Sequence, residues 1–187
     1  MAIKKREVAA SLAPAEAAEV SDCFHFYSLE LDYLIGTLRR LGVPRGDAED
    51  LLHEVFLVML RRWEHYDRAR PLRPWLFGIA FRVASEHRRR TARELLGGDT
   101  DAEDLGARPD DMVAARQSRS LLLKALATIP LERRAVLIMR EVDEAAMREV
   151  AEQLSIPLFT AYSRLRKARL ELDAALVVLL KGEDRGR

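Results

Sequence analysis

Along most of the chain the apolar residues recur three and four positions apart, the spacing that lines one face of a helix. The pattern predicts a first helix over 24–41, with Phe26, Leu29, Leu31, Tyr33, Leu34 and Leu38 apolar, stopped by Gly42 and the turn Val43-Pro44-Arg45-Gly46. Asp47 stands as an N-cap, with Asp50 three residues on, for a helix over 48–66. Its broad apolar face is Leu51, Leu52, Val55, Phe56, Met59 and Trp63. A third helix is expected from Trp75 to about residue 93, burying Leu76, Ile79, Ala80 and Val83. Then the pattern stops: residues 95–112 are rich in Gly and Asp, with little to bury, and read as a linker. Helices resume over 112–127, 131–142, 145–154 and 158–180. The fold class is therefore all-α, with two small helical domains, 23–94 and 113–181, joined by an acidic flexible linker. Mobile tails are expected at 1–22 and 182–187.

Two of these helices carry more than a core face. The third follows a loop with Arg70 and Arg73, displays Phe77, Phe81 and Arg88 beside its apolar stripe, and closes on Arg88, Arg89 and Arg90. Aromatic rings among cations suit unpaired nucleic-acid bases, because rings stack on bases while cations follow phosphates. The competing reading makes both phenylalanines core and the arginines a solvated helix end, favourable beside the negative end of the helix dipole. The last two helices have the proportions of a helix-turn-helix. Val150, Ala151 and Leu154 face inward from the first, Ile156 plugs the turn, and Ala161, Leu165, Ala168 and Leu172 line the second. Outside that stripe lie Tyr162, Ser163, Arg164, Arg166, Lys167 and Arg169, a set fit for the major groove. A solvated helix of a bundle is the alternative.

Composition narrows the choice. In 187 residues, 31 Lys and Arg balance 30 Asp and Glu to a net charge of +1, so any nucleic-acid contact must come from local clusters. The single cysteine, Cys23, cannot form an internal disulfide. Neither a secretory h-region nor an apolar run of spanning length is present, which predicts a cytoplasmic protein. The four histidines and Cys23 lack compact metal-ligand spacing, and no phosphate loop or catalytic triad stands out. No catalytic residue, metal, cofactor or small-molecule substrate is expected.

The segments DAEDLLHEVF, WLFGIAFRVASEHRRR, an acidic linker, IPLERRAVLIMREV and REVAEQLSIPLFTAYSRLRKARL occur in that order. The combination resembles the bacterial sigma factors of the extracytoplasmic-function (ECF) group, over about residues 24–175. The resemblance implies a subunit that binds core RNA polymerase and directs promoter recognition, DNA melting and transcription initiation. It implies polymerase docking through Asp50, Leu51, His53, Glu54, Arg61 and Arg62. The -10 element would be captured by Arg70, Arg73, Trp75, Phe77, Arg82, Ser85, Glu86, Arg88, Arg89 and Arg90. The -35 element would be read by Phe159, Thr160, Tyr162, Ser163, Arg164, Arg166, Lys167 and Arg169. Asp99, Asp101, Glu103 and Asp104 of the linker would imitate nucleic-acid charge in the RNA exit path. An anti-sigma factor is an implied partner beside core polymerase and promoter DNA.

The chain departs from the family's usual residues at several positions. His53 stands where Gln is common, Arg82 where Asn is common, and Ser155 where the helix-turn-helix usually has Gly. Phe159 replaces a small residue and Tyr162 a cation, changes expected to alter which -35 sequence is read. Two rival readings fit part of the pattern: a helix-turn-helix regulator that never joins polymerase, and a sigma-like protein that sequesters an anti-sigma factor.

Overall fold

The computed structural model describes residues 14–95 and 113–184. The expected linker with Asp99, Asp101, Glu103 and Asp104, most of the expected N-terminal tail and residues 185–187 lie outside the described residues.

The first half is built from α1 (Pro14–Leu29), α2 (Leu31–Leu41), α3 (Ala48–Arg62) and α4 (Leu72–Leu95), with a short 3-10 turn, Trp63–His65, after α3. The helix expected over 24–41 is thus two helices, and the first begins ten residues earlier. The break falls at Glu30, whose carboxylate accepts from Arg73 Nε at 2.9 Å. Because the axis changes there, Cys23 and Tyr27 of α1 turn into the core while Phe26 and Leu29 are left exposed. The Tyr27 hydroxyl donates to Leu52 O at 3.0 Å, which satisfies the one polar atom the ring carries inward.

Gly42 ends α2 in the left-handed region (φ 91°), with its N–H on Arg39 O and the N–H of Val43 on Leu38 O. Asp47 precedes α3 as expected, but its side chain caps nothing; Oδ2 lies 2.9 Å from His87 Nε2 of α4. Helix α4 starts at Leu72 rather than Trp75. Pro74 is compatible with this because it sits in the first turn, where its missing N–H has no helical partner. Leu76, Ile79, Ala80 and Val83 are buried as their spacing requires.

The second half comprises α5 (Val113–Thr128), α6 (Leu131–Glu141), α7 (Met147–Gln153) and α8 (Leu158–Asp184). Helices α7 and α8 form the helix-turn-helix. Val150, Ala151 and Leu154 pack with Ala161, Leu165 and Ala168, all buried. The turn between them closes as a Schellman motif: Ser155 N–H donates to Glu152 O and Ile156 N–H to Ala151 O. Ser155 carries it at φ 54°, the left-handed conformation that glycine would adopt at no steric cost. Replacing it with glycine removes about 1–2 kcal/mol of left-handed strain and adds about 0.5–1 kcal/mol of backbone entropy cost. The expected result of Ser155→Gly is a gain of roughly 0.5–1 kcal/mol, checked by thermal denaturation; a lower Tm would contradict it.

The two halves pack together and share one hydrophobic cluster. Helix α2 meets α5 and α6, and α4 meets α6 and α7. Polar ties cross the same seam. Tyr33 donates to Asp143 Oδ2 at 2.9 Å, Arg134 Nη1 to Leu41 O at 2.9 Å, and Arg82 Nη1 to Gln153 O at 3.3 Å. Burial pushes the Asp143 carboxyl above its usual range, against the lowering pull of Tyr33, Arg40 and Arg73, so that tie is held at a desolvation cost.

Candidate nucleic-acid interface

Three patches emerge from this arrangement. The first lies on the outer side of α3. Asp50, His53, Arg61 and Arg62 are exposed there, whereas Leu51 is buried and serves the core, which corrects its place among the docking residues. Glu54 receives Arg90 Nη2 on both carboxylate oxygens, at 2.9 and 3.0 Å, and so ties the docking face to the end of α4.

The second patch is the loop before α4 and the helix itself. The loop is held by its own polar groups: the Tyr66 hydroxyl donates to Arg70 O at 2.6 Å, and Ala69 N–H to Asp67 Oδ1 at 3.0 Å. Tyr66 and Trp75 face each other with ring centroids 4.7 Å apart, and Trp63 lies behind both at 5.5 and 6.2 Å. The Arg68 guanidinium sits 5.6 Å from the Trp63 ring. A partly exposed aromatic pair flanked by Arg68, Arg70 and Arg73 is the ring-and-cation arrangement that suits unpaired bases. Tyr66 and Arg68 were missed in the sequence, although the run WEHYDRARPLRPW interleaves aromatic and basic residues across that loop.

Phe77 does not belong to this patch. It is 0% exposed, packed among Leu76, Ile79 and the rest of the core, so its expected contact with DNA is corrected: no base can reach the ring. Phe81 is half-buried and lines a groove of about 820 Å³ between α4 and the helix-turn-helix. Arg82, Ser85, Arg88 and Arg89 line the same groove from α4, and Arg164 faces them from α8. Members of the two expected DNA-reading sets therefore confront one another across a single cleft.

Residues of α4 and of the loop before it hold α7 against α4. Arg70 forms a short ion pair with Glu152 of α7, and Gly78 lets α7 come close: a Cβ there would lie 3.1 Å from Gln153 O. Arg82 is half-buried; its Nε finds no hydrogen-bond partner among the described residues, and burial, helped by Arg62, lowers its affinity for the proton. Ser85 donates to Phe81 O at 2.7 Å within its own helix. Arg88 and Arg89 remain exposed, and Arg89 stands 3.9 Å from Glu86.

The third patch is the outer face of α8. Opposite the buried Ala161, Leu165 and Ala168 stand Phe159, Tyr162, Arg166 and Lys167, all exposed, with Thr160 and Ser163 partly so. Two expected members are turned elsewhere. Arg169 is bonded through Nη2 to Glu141 Oε1 at 2.6 Å, and Arg164 points into the α4 groove. Glu171, two residues beyond Arg169, holds Arg133 on two hydrogen bonds of 2.7 and 2.9 Å and pins α8 to α6. Among the described residues no cluster of His, Cys, Asp and Glu could hold a metal ion, and no helix is long and apolar enough to cross a membrane.

Comparison with known proteins decides the family. Residues 26–94 match the sigma-70 region 2 model, and residues 119–172 match the sigma-70 region 4 model. The ECF RNA polymerase sigma-E factor of Escherichia coli (strain K12) is 23% identical over 169 residues, covering 84% of this chain and 88% of that protein. The chain belongs to the ECF sigma factors. The RNA polymerase sigma factor NccH of Alcaligenes xylosoxydans xylosoxydans is 28% identical over 144 residues, 74% of this chain and 77% of its own. Among solved structures, the sigma factor RpoE in complex with the anti-sigma factor NepR from Bartonella quintana shares the fold with a TM-score of 0.70 at 21% identity. The match covers 84% of this chain and 98% of that one. CnrH in complex with the cytosolic domain of CnrY matches at a TM-score of 0.59 and 20% identity, over 94% and 96% of the two chains. Sigma factors as a family are regulatory proteins. Region 2 takes in the last turn of α1, all of α2 and α3 and nearly all of α4, and region 4 spans most of α5, all of α6 and α7, and the first half of α8.

Proposed function

We propose that this ECF sigma factor binds core RNA polymerase through α3, captures unpaired -10 bases at the loop before α4, and reads the -35 element with α8. The observation that carries this reading is the joining in one chain of an aromatic-basic loop and helix with a helix-turn-helix, in the order of sigma-70 regions 2 and 4. Asp50, Arg61 and Arg62 offer charge for docking, and His53 an exposed polar ring beside them. Tyr66 and Trp75 offer rings for bases, with Arg68, Arg70, Arg73, Arg88 and Arg89 along the phosphates. Melting then becomes favourable because stacking of freed bases offsets the few kcal/mol of unpairing.

In the packed arrangement Glu152 and Gln153 of α7 hold Arg70 and Arg82. Contact with both promoter elements at once therefore calls for the helix-turn-helix to swing off α4. An anti-sigma factor fits the same scheme as a partner that keeps the seam closed, the class of partner present with RpoE.

The test is run-off transcription with core polymerase on fragmented genomic DNA, followed by start-site mapping. Initiation at a defined set of promoters, dependent on this chain, is the expected outcome. No initiation on any fragment would overturn the proposal, and binding to DNA without binding to core polymerase would favour a stand-alone regulator.

A further inference from the structure

Phe159 is 82% exposed, the most exposed large apolar side chain among the described residues, and Tyr162 three positions on is 56% exposed. Both lie in the first turns of α8, where a recognition helix meets base edges in the major groove. They are continuous with Ser163, Arg166 and Lys167 on one face, directly opposite Ala161, Leu165 and Ala168. A lone exposed apolar residue is ordinary. Two aromatic rings leading a cationic helix face are not, because each leaves water only when that face is covered. The cations say what covers it: a polyanion lying along the helix.

In the major groove the thymine C5-methyl is the apolar feature of the base edges, and Phe is a side chain that contacts it. We infer that Phe159, supported by Tyr162, is a specificity-determining residue that selects thymine at one position of the -35 element through that methyl. The inference rests on the -35 reading proposed above. Arg166 and Lys167 supply the phosphate contacts that are blind to sequence. Phe159 makes one base position prefer thymine over the other three.

Replacing a thymine with deoxyuridine deletes the methyl and nothing else. Holoenzyme assembled from core polymerase and the full chain would be assayed for initiation on mapped promoters, with each -35 thymine changed in turn to deoxyuridine. At one position the wild-type chain should lose about fourfold in apparent affinity, the factor for uncovering one methyl-sized group (~0.8 kcal/mol). Phe159→Ala should be indifferent to the methyl at that position while keeping the rest of its promoter pattern. Phe159→Arg should shift the preferred base there to guanine, since Arg recognises its O6 and N7. Equal responses of wild type and Phe159→Ala to the methyl at every position would overturn the inference with the sigma-factor reading intact. Absence of initiation on unmodified promoters would overturn both.

Discussion

Phe77→Ala is expected to lower stability by about 3–5 kcal/mol, the usual cost of emptying a buried phenylalanine site. Phe77 is 0% exposed on α4 and shares the core with Leu34, Leu38, Val55 and Met59, so the hole cannot open to solvent without the helix moving. A loss of that size takes a large share of the 5–15 kcal/mol typical of a folded domain. It should appear as a large fall in the urea midpoint. Promoter activity would fall too, and that fall alone is ambiguous. Phe77→Leu separates the causes, because a large aliphatic side chain refills most of the volume for less than about 1.5 kcal/mol. The leucine variant should open promoters nearly as well as wild type at temperatures where it stays folded. A folded leucine variant that no longer melts DNA would show that the ring contacts bases after all. Tyr66→Ala is the opposite case: its ring is partly exposed, and its loss should weaken melting more than stability.

What separates Phe77 from Tyr66 was not visible in the sequence. Both are aromatic, both stand near arginines, and helical spacing places Phe77 only about one position from the edge of the buried stripe. The apolar face of α4 is wide enough to include it because α4 is covered on two sides, by α2 and α3 from its own half and by α6 and α7 from the other. Features set by local chemistry were legible: the stripes of α3 and α8, Gly42 as a helix stop, and Ser155 as the residue standing where the helix-turn-helix usually has Gly, a position that the structure holds at positive φ. The seam between the halves was not. Its ties join residues 71 to 110 positions apart, and such pairings leave no periodic trace. The Gly- and Asp-rich segment between the halves suggested two independent bodies, and nothing in it forecast that α7 would lie on α4. The same packing places Arg164 in the groove against α4, while Arg169 is held within its own half by Glu141 at the end of α6.

Arg134→Leu should cost about 2–4 kcal/mol although it replaces a charged residue in a hydrophobic environment with a hydrophobic one. Arg134 is 3% exposed on α6, between Ala135 and the other buried residues of that helix. Its guanidinium donates to Ala127 O at 2.8 Å, to Ile129 O at 2.8 and 3.2 Å, and to Leu41 O at 2.9 Å. The cation thus closes the carbonyl ends of α5 and α2 together, where a positive charge meets the negative ends of two helix dipoles. Burial, with Arg88 nearby, pushes its pKa down to about 10, still far enough above neutrality to keep it charged. Leucine would remove the desolvation cost of the charge but leave those carbonyls without donors, at about 1–3 kcal/mol for each that stays buried. Gly42 shows how closely the fork is fitted: a Cβ there would lie 2.5 Å from Arg134 Nη1. Gly42→Ala should therefore act in the same direction through the Leu41 contact alone, with added strain from its φ of 91°. Because Leu41 belongs to the first half and Ala127 and Ile129 to the second, Arg134→Leu should also loosen the seam. Small-angle scattering would show a larger radius of gyration under conditions where the variant remains helical. Unchanged Tm and unchanged dimensions would refute the clamp; a lower Tm with unchanged dimensions would confine its role to closing α5. If the seam does loosen, Arg70 and Arg82 lose their α7 partners at the same moment, and the surface proposed to take the -10 strand becomes free.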